Sequence, residues 1–140
     1  MNPGSIVEDL EFKFHDGATG KKILVILNDG TCGFYIVVKT TSQTDLRSTS
    51  PGCNLKDPYP NFFVPRKYKI FRKQTWICLN EFYEFTATVL VQRKFDGKVT
   101  YMGDLGEPVT KALIGCAAEA DDISLAHEKH LRDTIAAHFP

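Results

Sequence analysis

The sequence predicts a mainly β domain of the mixed α+β class, a small β-barrel closed by two C-terminal helices. Three observations predict it. Two apolar runs, Ile23-Leu24-Val25-Ile26-Leu27 and Phe34-Tyr35-Ile36-Val37-Val38, are joined through the turn formers Asn28-Asp29-Gly30, the pattern of two buried antiparallel strands. Further short strand-like segments follow at close spacing, which favours a small barrel. Beyond Leu105 the apolar period becomes that of amphipathic helices. At 140 residues the chain is sized for one domain with a substantial core. The β body is expected over about residues 8–105 and the helical tail over about 107–139.

Taken in order, Leu10, Phe12 and Phe14 alternate with Glu11 and Lys13, which predicts a half-buried strand over 9–14. Residues 15–20 form a loop rich in turn formers, leading into the central hairpin. Residues 44–60 are polar and carry four prolines and glycines in Pro51-Gly52, Pro58 and Pro60, so a long surface loop is expected. Short strands are expected at 61–64, 68–71 and 75–79. A second hairpin is expected from 84 to 105 with Asp96-Gly97 as its turn, the segment 85–91 forming its first strand or, alternatively, a helix. Pro108 suits the first turn of a helix. Val109, Ala112, Leu113, Cys116 and Ala117 then trace one helical face. Ser124 is an N-cap for a second helix with a stripe of Leu131, Ile135 and Phe139.

Composition excludes more than it assigns. A hydrophobic content of 43% and a charged content of 24% are ordinary for a globular protein. The formal net charge is zero, so any nucleic-acid site must be local. The first residues lack the basic and apolar regions of a signal peptide, and no apolar run approaches the roughly 20 residues that span a bilayer. A cytoplasmic protein without membrane contact is the expectation. The scattered Cys32, Cys53, Cys78 and Cys116 form no C-x-x-C pair, which argues against zinc and for free thiols in a reducing compartment. Cys78 and Cys116 lie in apolar patterns suited to core packing. His127 and His130 lack the H-E-x-x-H spacing of a zinc site and are expected as exposed helix histidines. No metal or cofactor is expected.

Two constellations carry chemistry. A hairpin folds its ends together, so Lys21 and Lys22 should come near Lys39, Thr40, Thr41 and Ser42, with His15 in the loop above them. Cations and hydroxyls gathered there suit an anion or phosphate; the competing account is a barrel rim that is polar because it meets water. Residues 56–73 hold Lys56, Arg66, Lys67, Lys69, Arg72 and Lys73 against the single acid Asp57, interleaved with Tyr59, Phe62, Phe63, Tyr68 and Phe71. Basic charge with stackable aromatics is what single-stranded nucleic acid binding requires. The competing account is that these aromatics are core and the charges solvated.

These segments together resemble the MazF/PemK-type toxins. Gly20-Lys21-Lys22-Ile23 and the apolar residues after it stand where that family has Gly-x-Arg-Pro opening its second strand. Lys39-Thr40-Thr41-Ser42-Gln43 matches the threonine-containing end of its following strand. Phe62-Phe63-Val64 and Thr75-Trp76-Ile77 are similar to a divergent PemK-like subgroup with a helical tail. The resemblance implies an SH3-like β-barrel, a homodimer, cleavage of single-stranded RNA without a metal, and a cognate antitoxin occupying the RNA groove. It further implies attack of a ribose 2′-hydroxyl on the adjacent phosphate, which needs a base, charge stabilisation and an acid for the departing oxygen. The chain departs from the pattern with Lys22 for arginine and Ile23 for proline. Lysine is a point charge rather than a bidentate fork.

The expected roles are Lys22 as electrostatic stabiliser, Thr40 or Thr41 as phosphate donor, and His15 as acid or base on its intrinsic pKa. Lys21, Lys39, Arg66, Lys67, Lys69 and Arg72 are expected to contact RNA. The alternative is a non-catalytic SH3-like barrel that binds RNA or a protein partner.

Overall fold

The computed structural model describes residues 1–140. Its elements follow in the order β1 (Ser5–Lys13), β2 (Thr19–Ile26), β3 (Phe34–Thr41), β4 (Gly52–Asn54), β5 (Asn61–Val64), β6 (Thr75–Cys78), β7 (Tyr83–Thr86), α1 (Ala87–Phe95), β8 (Val99–Asp104), α2 (Glu107–Ala118) and α3 (Leu125–His138). The fold is mixed α+β and mainly β. All strand pairs are antiparallel, in the order β4-β5-β6-β3-β2-β1-β8, with β7 also pairing β3. No ladder joins β4 to β8, so the sheet stays open. No helix is long and apolar enough to cross a membrane.

The central hairpin organises the sheet as its sequence predicts. Val25 and Leu27 face a large core completed by Leu113, Ile114 and Leu131 of the C-terminal helices. Leu24 and Ile26 face a smaller one with Val7, Phe12, Tyr83 and Leu90. Burial on both faces is why the run is continuously apolar rather than alternating. The turn is held by Asn28, whose side chain donates to the Phe34 carbonyl at 3.1 Å and accepts from the Ile36 amide at 2.8 Å. β3 is the shared strand. Phe34 to Val37 pair β7, Val37 to Lys39 pair β2, and Thr40 and Thr41 pair β6.

β1 starts earlier than the alternation suggests and carries a bulge between Asp9 and Phe12. The extra residue shifts the pleat, so Phe12 is fully buried while Leu10 is exposed. Asp9 is buried instead, held by Arg93 of α1 through two hydrogen bonds of 2.6 and 2.9 Å. A buried carboxylate requires such a partner.

Several expectations are corrected. Of the two readings of 85–91 the helical one holds for most of the segment: residues 87–95 form α1, and only 85–86 are strand, in β7. The Thr86 hydroxyl caps the helix by accepting from the Val89 amide at 3.1 Å. Leu90 is its one buried residue, so capping and the Arg93–Asp9 pair outweigh the β preference of Val89 and Val91. Asp96-Gly97 still turns the chain, now from α1 into β8, with Gly97 at φ 76°. Residues 68–71 are not a strand either: Arg66–Tyr68 is a 3₁₀ turn and Lys69 adopts φ 59°. This bend breaks the period-two pattern. Lastly, Cys53 of β4 and Cys116 of α2 form a disulfide, replacing the expected free thiols, whereas Cys32 and Cys78 stay free. Partners 63 residues apart leave no local spacing signal.

The segment 44–60 is a surface loop as expected, but a pinned one. The Trp76 indole donates to the Ser48 carbonyl at 2.7 Å, and Asp57 accepts from the Ser48 amide and the Asn61 side chain. The tail follows its sequence signals closely. Pro108 lies in the first turn of α2, and Ser124 caps α3 by accepting from the His127 amide at 3.0 Å. Leu131 is fully buried, with Ile135 and Phe139 packed against the same core. Ala112 is exposed and Ile114 takes its place in the buried face. His127 and His130 are half-buried rather than exposed: both rings pack against Phe34, and His127 bonds Glu84 at 2.6 Å.

Candidate functional site

A groove of about 720 Å³ opens where the start of β2 and the end of β3 meet the segment before β6. Lys21, Lys22, Thr40, Thr41, Ser42 and Gln43 line one side, and Ile70, Phe71, Arg72, Lys73 and Thr75 the other. The hairpin places the first group together because β2 and β3 run antiparallel with Leu24 opposite Lys39. The 3₁₀ turn and the left-handed Lys69 carry the second group across. Two segments far apart in sequence, each basic for its own local reason, thus share one concavity.

The groups in it are not equivalent. Thr40 is buried, and its hydroxyl donates to the Ile23 carbonyl at 2.8 Å. That hydroxyl therefore fixes the strand pair. Thr41 accepts from the Gln43 amide at 3.2 Å, which leaves its proton available to a ligand. Lys22 donates to the Thr40 carbonyl at 3.2 Å, using one of its three donors. Lys21 pairs with Glu8 at 3.4 Å. Lys22, Arg72 and Lys73 belong to no ion pair, so their charge is open to an anion.

His15 and Lys39 do not line the groove. His15 stacks on Tyr83 with ring centroids 4.0 Å apart and lies 3.2 Å from the Phe82 carbonyl. Lys39 pairs with Glu81 at 3.1 Å and stands over Phe14. Tyr83 donates to Glu81 at 2.6 Å. That bond, with Lys39 behind it, holds the Glu81 carboxyl below its ordinary pKa, while burial and the same carboxylate push the Tyr83 phenol up. Lys39 lies opposite Leu24, on the same face of the hairpin as Thr41, but its reach to Glu81 carries its ammonium away from the groove. Tyr83 holds His15 apart in the loop between β1 and β2.

The basic-aromatic segment divides in two. Phe62 and Phe63 are core, and Phe63 stacks on the fully buried Trp76 at 4.6 Å. Tyr59 and Tyr68 are exposed, under Arg47 and Lys67 respectively, and Phe71 lines the groove. Arg66, Lys67 and Lys69 are exposed on the 3₁₀ turn beside the groove wall, outside its lining.

Residues the sequence reading passed over include Glu8, Ile6 and Met102 of the groove lining. For Glu8 a signal existed: it precedes the first alternating segment, and extending that strand by one pleat would have put it beside the lysines. A smaller hollow of about 310 Å³ beside the hairpin turn is lined by Asp29, Cys32, His130 and Asp133 among others. Its charged groups serve docking of α3. His138 bonds Asp29 at 2.8 Å and Lys129 pairs with Asp133, and the first of these, with the Thr31 amide, holds the Asp29 carboxyl at about 2. No family model matches the chain, and no curated protein matches it.

Proposed function

We propose that the groove binds single-stranded RNA and that the chain acts on it as a toxin-like endoribonuclease. The observation that carries the proposal is the meeting of Lys22, Thr41, Arg72 and Lys73 in one concavity with Phe71. Unpaired cations suit phosphates, a free hydroxyl adds a directed donor, and an aromatic edge suits a base. Cleavage would proceed by attack of a 2′-oxygen on phosphorus, forming a 2′,3′-cyclic phosphate as the bond to the 5′-oxygen breaks. Lys22 and Arg72 would offset the charge of the phosphorane, and Thr41 would donate to one of its oxygens. Thr40 has a positioning role, and His15, outside the groove, has no part in the reaction. A cytoplasmic homodimer with an SH3-like arrangement of strands, restrained by an antitoxin that fills the groove, belongs to the same proposal.

The test is incubation of purified protein with labelled single-stranded RNA in the presence of a chelator. Cleavage is expected, with products ending in cyclic phosphate and 5′-hydroxyl. Lys22→Ala and Thr41→Ala should each lower the rate by about 10²- to 10³-fold. RNA left intact by wild-type protein would sink the cleavage proposal. A second reading, a binding groove without catalysis, is favoured by the internal bonds of Lys22 and Thr40. Salt-sensitive binding without product would establish it.

A further inference from the structure

The groove holds four cations and a single carboxylate, Glu8. Glu8 lies in β1 opposite Ile23 of β2, the residue whose carbonyl receives the Thr40 hydroxyl. It therefore stands in the same lateral row as the threonine end of β3. Its side chain is 26% exposed and its Oε2 is 3.4 Å from Lys21 Nζ. Lys21 in turn is 65% exposed, so it is tethered loosely and leaves Glu8 free on its groove side. A carboxylate among phosphate-binding cations weakens anion binding, which makes its position costly for a site that only binds.

Among the lining residues, lysine and arginine are protonated at neutral pH, and threonine, serine and glutamine are not bases. Carboxylates are ionised there. The imidazole expected in the groove is elsewhere, against Tyr83. We infer that Glu8 is the general base of the groove, taking the proton of the attacking ribose 2′-hydroxyl, with Lys21 holding the carboxylate in place. The inference rests on the endoribonuclease reading above. The 2′-oxygen gives its proton to a Glu8 Oε as the bond to phosphorus forms. The bond from phosphorus to the 5′-oxygen breaks, and that oxygen takes a proton from water. Glu8 then returns its proton to the resulting hydroxide, so the step consumes no co-reactant.

The experiment compares wild type, Glu8→Gln and Glu8→Asp on an RNA oligonucleotide and on its all-2′-deoxy analogue, from about pH 3 to 9 so that the carboxylate range is covered, with thermal melts to verify folding. Glu8→Gln is expected to bind RNA as tightly as wild type or tighter, because a negative charge has left the groove. Its kcat should fall by about 10²- to 10⁴-fold and lose the acidic limb of its pH profile. Glu8→Asp, which keeps the base one methylene short, should recover part of the rate with that limb restored. Folded Glu8→Gln that cleaves within about threefold of wild type with an unchanged pH profile overturns the inference alone, leaving Glu8 as the counter-ion of Lys21. Should Glu8→Gln not fold, Glu8→Asp decides: an unchanged kcat and pH profile overturn the inference. Wild type that cleaves no RNA overturns the cleavage reading and the inference together.

Discussion

At the scale of residues, what an ionisable group does here depends on the partner within its reach. Lys22 and Lys39 both flank the central hairpin, yet one lines the groove and the other is neutralised by Glu81. His15 is drawn away by the flat face of Tyr83. Asp29 shows how such pairs hold the fold. Its carboxyl is lowered from 3.8 to about 2, chiefly by the hydrogen bond with His138 and next by the Thr31 amide. A depressed carboxylate stabilises the folded state above its unfolded pKa, and that contribution is lost as pH falls through the folded value. The window is therefore between about 4 and 2. Thermal melts of Asp29→Asn should show a loss of about 0.5 to 1 kcal/mol at pH 7, as for a partly exposed pair, and a flatter acid limb than wild type. An identical acid limb in both proteins would show that the turn is not tied to α3 through this carboxylate.

At the scale of elements, long-range ties rather than propensity decide the two places where local pattern and structure part. α1 contains three valine or threonine residues in its first half, Thr88, Val89 and Val91, which read as a strand. Its helical form is selected by the Thr86 cap and by the reach of Arg93 to the buried Asp9. β4 has three residues, too few to hold itself, and is fastened to α2 by Cys53–Cys116. Closing a chain segment of 63 residues limits the unfolded ensemble by about 4 kcal/mol in the chain-entropy account. Cys53 is exposed, so Cys53→Ser removes the link without opening the core. Oxidised wild type is expected to exceed Cys53→Ser by about 2 to 4 kcal/mol in denaturant melts, a difference that dithiothreitol should abolish. Equal stability before and after reduction would rule the link out as a stabiliser of this fold.

At the scale of the molecule, zero net charge conceals a division. The groove side collects Lys21, Lys22, Arg72 and Lys73, while from Asp104 onward acids outnumber bases. Binding of a polyanion is therefore expected to be local and steeply salt-dependent. Neutralising phosphates with the three unpaired cations Lys22, Arg72 and Lys73 gives a slope of log Kobs against log salt of about −2 for a single strand, near 0.7 for each contact. Arg72→Ala with Lys73→Ala should bring that slope close to −0.7 in fluorescence titrations across salt concentrations. A slope unchanged in the double variant would place the polyanion on another surface.

The sequence by itself determined the elements whose signals are local. The central hairpin, the Asp96-Gly97 turn, the Pro108 entry to α2 and the Ser124 cap of α3 each arise from residues within one turn or pleat of one another. It also identified the hairpin mouth as a gathering of cations and hydroxyls, because an antiparallel pair must bring its ends together. Tertiary structure alone decided the rest. The bulge in β1 turned Leu10 outward and Asp9 inward, α1 replaced a strand, and two cysteines 63 residues apart met. It likewise brought Glu8, Arg72 and Lys73 to the lysines of β2 and sent His15 to another face. These outcomes depend on which strand lies beside which and on the phase of each pleat. A one-residue shift in that phase reverses every side chain after it.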